Sequence, residues 1–152
     1  MRGHKDVAHL LLEGGAEINM STKHAGTPLS LSVKYGHVDL VRLFLERGAD
    51  PNKGTQSGFT PLHTAARPFR KKDIIVKLLL DSGAEPNRIG RTGMAPLHVA
   101  SAMGRKGAVQ LLLDAGAEVN IVCVHGITPL KYAVNNGRHE TARLLEKYGG
   151  TE

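Results

Sequence analysis

The chain has 152 residues, 41% of them apolar, and a net charge of +6 from 20 basic and 14 acidic side chains. That is the length of one ordinary domain, and the absence of Trp with only 4% aromatics excludes a core built on large rings. One cysteine excludes an internal disulfide and a thiolate metal site, so a reducing intracellular setting, cytoplasmic or nuclear, is expected. No charged start leads into an apolar stretch, and no apolar run approaches the roughly 18 residues of a membrane span, so no membrane partner is expected.

Five segments follow one another along the chain. Residues 1–20 hold a Gly3-His4 turn and an apolar stripe (Val7, Leu10, Leu11, Leu12) closed by Gly15-Ala16. Residues 21–53 open on Thr27-Pro28-Leu29. The Thr hydroxyl can accept from a free amide of the first turn, and Pro stands where a missing N–H is harmless. A turn at Gly36-His37 leads to a second helix with Val38, Val41, Phe44 and Leu45 at helical spacing, ended by Gly48. Residues 54–88 repeat the plan: a helix from Pro61 to Arg67 with small Ala65 and Ala66, then Ile75, Leu78 and Leu79, then Gly83. Two extra residues lie within 67–75, and Pro68 is expected to end the first helix early. Residues 89–121 begin with Ala95-Pro96, where Ala cannot cap, a cost of about 1 kcal/mol. Residues 122–152 carry Thr128-Pro129, Gly137 and Gly149.

The landmarks keep one register. Pro28, Pro61, Pro96 and Pro129 are 33, 35 and 33 residues apart, and Asn19, Asn52, Asn87 and Asn120 each stand nine residues before a proline. Such a period marks an array of short units that cannot bury their apolar faces alone and must stack. Glu146 stands where earlier units have Leu12, Leu45, Leu80 and Leu113, which predicts a solvated C-terminal cap. The first unit lacks an opening helix and shows no cap. The chain is therefore expected to be the C-terminal piece of a longer array, monomeric or weakly self-associating through that uncapped face.

Thr60-Pro61-Leu62-His63-Thr64-Ala65, and Ala95-Pro96-Leu97-His98-Val99-Ala100 apart from its cap, resemble the ankyrin repeat family over essentially the whole chain. The resemblance implies an all-α solenoid of stacked helix-turn-helix pairs with projecting β-hairpin loops. It also implies a non-catalytic scaffold or adaptor gripping a partner protein through hairpin tips and the concave helix face. The matching slots are Gln56, Ser57, Phe59, Arg91, Thr92 and Met94 in the hairpins and Lys34, Tyr35, Arg67, Met103, Asn135 and Asn136 at the helix ends; Tyr35, Phe59, Met94 and Met103 are anchor types. Departures are Ser30 and Lys131 in place of the His, and Thr22, Thr55, Gly90 and Cys123 in place of the hairpin Asp.

No catalytic, cofactor or metal site emerges. His63 and His98 sit in repeat slots, His24 and His125 in hairpin stretches, and no phosphate-cradling loop is present. Cys123 has His125 nearby but no evident orienting acid. Charge is the feature beyond the repeat: residues 67–106 hold nine basic and three acidic side chains, and the remainder is neutral overall. Arg88 and Arg91 fall beside the contact slots; Arg70, Lys71, Lys72, Arg105 and Lys106 fall at helix-to-helix turns. This patch suggests a partner with an acidic surface or, as the rival reading, a nucleic-acid or phospho-ligand site built on "RPFRKK".

Overall fold

The computed structural model describes residues 2–21, 26–68 and 72–152, without the side chains of residues 2–5 and 72. Thr22, His24, Arg70 and Lys71, and the side chains of His4 and Lys72, lie outside the described residues. A leading helix, α1 (Arg2–Glu13), precedes four pairs: α2 (Pro28–Tyr35) with α3 (Val38–Glu46), α4 (Pro61–Ala65) with α5 (Lys72–Asp81), α6 (Pro96–Ala102) with α7 (Lys106–Asp114), and α8 (Pro129–Asn135) with α9 (His139–Lys147). First helices α2, α4, α6 and α8 stack on one another, and α1, α3, α5, α7 and α9 form a second layer against them. Between the layers lie Leu29, Leu62 and Leu97 of the opening motif with Val41, Ile75, Leu79, Leu112 and Leu145 of the second helices, all fully buried. Ala65 and Ala66 are buried too, as close helix approach requires. The early stop expected at Pro68 holds, since α4 is the shortest helix.

The starts of the first helices are satisfied in two ways. Thr27 Oγ1 accepts from the Ser30 amide and Thr128 Oγ1 from the Lys131 amide, each at 3.2 Å. In α4 and α6 the histidine takes over. His63 Nδ1 accepts from the Thr60 amide at 3.1 Å, while Nε2 donates to the Met94 carbonyl of the following unit at 2.9 Å. His98 does the same with the Ala95 amide at 3.0 Å and the Ile127 carbonyl at 3.0 Å. Ala95 thus lacks a capping oxygen, yet its own amide is bonded. Both rings have no exposed surface, and a ring wedged between an amide donor and a carbonyl acceptor must be the neutral Nε2–H form. Burial lowers the His63 pKa to about 4, against the Met94 carbonyl, which raises it; burial likewise holds His98 below the ordinary value.

Helix ends explain the recurring Gly-Ala. After α3, Gly48 turns to φ +83°, its amide bonds Leu45 O at 3.1 Å, and the Ala49 amide reaches Phe44 O at 2.9 Å. This is a Schellman closure, in which Gly takes the left-handed position without a Cβ penalty. It recurs at Gly15, Gly83, Gly116 and Gly149. Each asparagine then pins the next closure. Asn52 Oδ1 accepts from the Glu85 amide at 2.8 Å and Nδ2 donates to Gly83 O at 2.9 Å. Asn87 repeats this on Glu118 and Gly116, Asn120 on Thr151 and Gly149, and Asn19 accepts from Asp50.

The loops depart from the β-hairpin expectation. Gly58 N bonds Thr55 O at 2.8 Å and Thr55 N bonds Phe59 O at 2.9 Å, and the same two bonds close 90–94 and 123–127. These five-residue turns are too short to build a ladder, and among the described residues no strand forms beyond an isolated bridge residue at Gly26. Neighbouring turns touch directly: Arg91 N bonds Ser57 O at 3.0 Å and Val124 N bonds Thr92 O at 3.2 Å. A Cβ on Gly93 would come 2.7 Å from Val124 N, so this approach requires glycine. The Thr55 hydroxyl, standing where the Asp is missing, bonds Ser57 Oγ at 2.8 Å and donates to the Phe59 carbonyl at 3.4 Å. Glu146 is exposed where Leu113 is buried.

Two outcomes are expected. Hydrogen exchange in dilute protein will be fastest, among helices, in residues 2–13, because Val7, Leu10 and Leu11 are each more than half exposed; protection equal to that of residues 74–80 would contradict this. Stability will fall with acid. Above pH 6.5 the two histidines are neutral in both states and their contribution is complete; below it the unfolded chain takes up protons that the folded one refuses, down to about pH 4 for His63. The His63 shift alone corresponds to about 3 kcal/mol. Denaturant midpoints at pH 7 and 4.5 check this, and the loss will shrink in His63→Gln.

Candidate interaction surface

Eleven of the twelve slot residues carry exposed or half-exposed side chains that are not consumed by their own helix. At the turn tips Gln56, Ser57, Arg91 and Thr92 are exposed; at the ends of the first helices Lys34, Tyr35, Arg67, Met103 and Asn135 are exposed. Tyr35 is 62% exposed, with Lys34 Nζ 5.6 Å from its ring centroid and the His37 ring 6.3 Å away. The twelfth, Asn136, is exposed but caps α8, its Nδ2 donating to Tyr132 O at 2.8 Å. Phe59 and Met94 are half-buried and are not free anchors. Phe59 stands edge-on to the His63 ring at 4.8 Å and against Gly90, so it packs one turn on the next.

Three exposed apolar side chains were not among the slots drawn from the sequence. Ile89, Val122 and Val124 are each more than half exposed on adjacent loops. Ile89 and Val122 are one period apart, and Val124 follows two places later, past the buried Cys123. Ile89 and Val122 share one place in the repeat register, just before the turn, and that place is the signal that would have found them.

Charge is distributed differently from the expected patch. Arg105 is not a free cation: its guanidinium donates to Arg67 O at 2.8 Å and meets Asp73 at 2.5 Å, and its side chain is only 17% exposed. It caps the end of the preceding first helix, where a cation suits the carbonyl dipoles. Arg138 does the same to Ala102 O at 3.2 Å. A Cβ on Gly107 would strike Asp73 at 2.5 Å, so glycine there makes room for the clasp. Lys106 pairs with Glu140 at 3.6 Å and Arg88 with Glu85 at 3.3 Å. Among the described residues Arg67 and Arg91 make no ion pair and remain the outward cations of this region.

Cys123 is buried, its Sγ 3.8 Å from Tyr132 Oη, and His125 is exposed on the loop. Backbone amides around it and the Tyr132 hydroxyl bring the thiol below its ordinary range, against burial, which raises it. Among the described residues no three His, Cys, Asp or Glu side chains gather as metal ligands would, and no helix is long and apolar enough to cross a membrane.

The family model of ankyrin repeats matches residues 1–90 and 70–151. The chain belongs to the ankyrin repeat family. No curated protein matches it. Ankyrin repeats are generally protein–protein interaction modules, generally without catalysis. In this ankyrin array the residues presented outward are the turn tips and first-helix ends, while the family histidines and asparagines are consumed in joining units. Arg105→Ala will therefore lower stability by about 1–2 kcal/mol, through the lost cap and ion pair. Arg91→Ala will stay within about 0.5 kcal/mol. Denaturant melts of the two variants side by side check this.

Proposed function

We propose that this ankyrin array is a scaffold or adaptor that grips a partner protein along its row of turn tips and the outward ends of its first helices. The observation that carries the reading is the continuous run of touching turns, along which Ile89, Val122 and Val124 stay exposed. Exposed aliphatic side chains on rigid, adjacent loops are the composition of an interface centre. Tyr35 and Met103 extend it on the helix side, with Arg67 and Arg91 as its cations. An apolar strip with unpaired arginines fits a partner surface that is apolar at its middle and acidic at its rim. The rival site for nucleic acid on the turn cluster loses Arg105 to its clasp on Asp73 and the Arg67 carbonyl.

Against a partner recovered by affinity capture and then purified, Arg67→Glu combined with Arg91→Glu will weaken binding by at least about tenfold, and Val124→Asp by a similar factor. Lys77→Gln, on a second helix, will leave the affinity unchanged. Titration calorimetry with each variant, after circular dichroism confirms its helicity, reads this out; full affinity in both loop variants would remove the surface from consideration.

A further inference from the structure

One charge pattern in the layer of second helices changes at the last unit. Arg42 and Glu46, Lys77 and Asp81, and Gln110 and Asp114 occupy matching places in α3, α5 and α7, a cation or amide followed one turn later by an acid. Lys77 meets Asp81 at 3.3 Å and Gln110 donates to Asp114 at 2.8 Å. In α9 the matching residues are Arg143 and Lys147, two cations one turn apart, which repel each other. Among the described residues neither makes an ion pair. Asp114, the carboxylate on the neighbouring helix, is held by Gln110 and by the Tyr148 hydroxyl, which also bond each other.

These residues line an open groove between α7 and α9, formed by Lys106, Gln110, Glu140, Arg143, Leu144 and Lys147. Glu140 is its one acid and holds Lys106 loosely at 3.6 Å, with both side chains well exposed. Three cations against one carboxylate leave two positive charges in the groove. A lysine in the last turn of α9 suits the helix dipole, which accounts for Lys147 but not for Arg143 and Lys106 lining the same groove.

We propose that this groove binds a phosphorylated serine or threonine side chain of a partner polypeptide. A phosphate monoester carries close to two negative charges at pH 7 and three acceptor oxygens, which matches the groove's charge. The Arg143 fork suits two of those oxygens and the lysines act as point charges on the third. Gln110 and Leu144 give the groove polar and apolar lining for the flanking chain. Nucleic acid is disfavoured because no aromatic ring lines the groove for stacking. The groove belongs wholly to α7 and α9, so this site is separate from the turn-tip surface and does not depend on it.

The test is an amide-resolved nuclear magnetic resonance titration of the whole chain at near-physiological salt. The probe is a short glycine–serine peptide bearing one phosphoserine, with its unphosphorylated twin, inorganic phosphate, oligothymidylate and phosphatidylserine vesicles in parallel arms. The expected result is saturable shifts at Gln110, Arg143, Leu144 and Lys147 with the phosphopeptide alone, tightening as pH rises through the second phosphate pKa of about 6. Arg143→Gln and Lys147→Asp will each weaken it by at least about tenfold. Lys147→Asp restores the pattern of the earlier units and so is not expected to unfold the chain, which a thermal melt verifies; Lys77→Gln will bind as the parent does. Equal shifts with the unphosphorylated twin, equal affinity for inorganic phosphate, tighter binding of the oligonucleotide or vesicles, or undiminished binding in the two α9 variants would each overturn the proposal.

Discussion

Each asparagine at the exit of a second helix holds the next unit by the backbone. Its amide oxygen takes the N–H two residues past the closing glycine and its amide nitrogen gives to that glycine's carbonyl, at 2.8 to 3.1 Å in three successive joints. Left-handed closure strips these groups of helical partners, and a side chain of fixed reach supplies them. The unit-to-unit spacing of the layers is thereby tied to the length of one Asn side chain. The third unit shows how strict this is. Its two extra residues fall between α4 and α5, outside the stretches that the joint grips, and Asn52 still reaches Gly83 and Glu85.

The buried histidines work on the other side of the same joint, and by the same logic. A ring with no exposed surface spans from one helix start to the next turn, which fixes both the tautomer and the distance between turns. Where histidine is absent, other groups fill in. Thr128 donates to Thr151 O at 2.7 Å and Lys131 pairs with Glu152, so the last unit is closed by its own tail. In the second unit Ser30 bonds Thr27 locally and makes no such span among the described residues. The histidine links therefore fall at the middle of the array.

The helical array was legible because its cause is local and repeated: Thr or Ala before Pro opens each of the four helix pairs, and a left-handed Gly follows every second helix. The turn tips and first-helix ends were legible for the same reason, since register alone marks their places. What register could not give is which side chains are consumed by packing. Phe59 looks like an anchor in one dimension and becomes a spacer against His63 and Gly90 in three. Arg105 counts as a surface charge until Asp73, 32 residues away, and the Arg67 carbonyl are brought to it. Charge summed by segment also hid the α7–α9 groove, because Lys106 and the pair Arg143 and Lys147 fall on opposite sides of the segment boundary.

The joints have a consequence for recombination of the units. All three full asparagine joints use the same atoms, and none relies on a side chain that occurs only once. A stretch running from one asparagine to the next therefore carries a complete connector at each end. A duplicate of residues 87–119 spliced in after Val119 would present Glu118 and Gly116 copies to each Asn, and a His98 copy to the following turn. The row of outward turns would grow by one while both neighbours kept every bond they have now, so reach along a partner could be lengthened without redesigning the core.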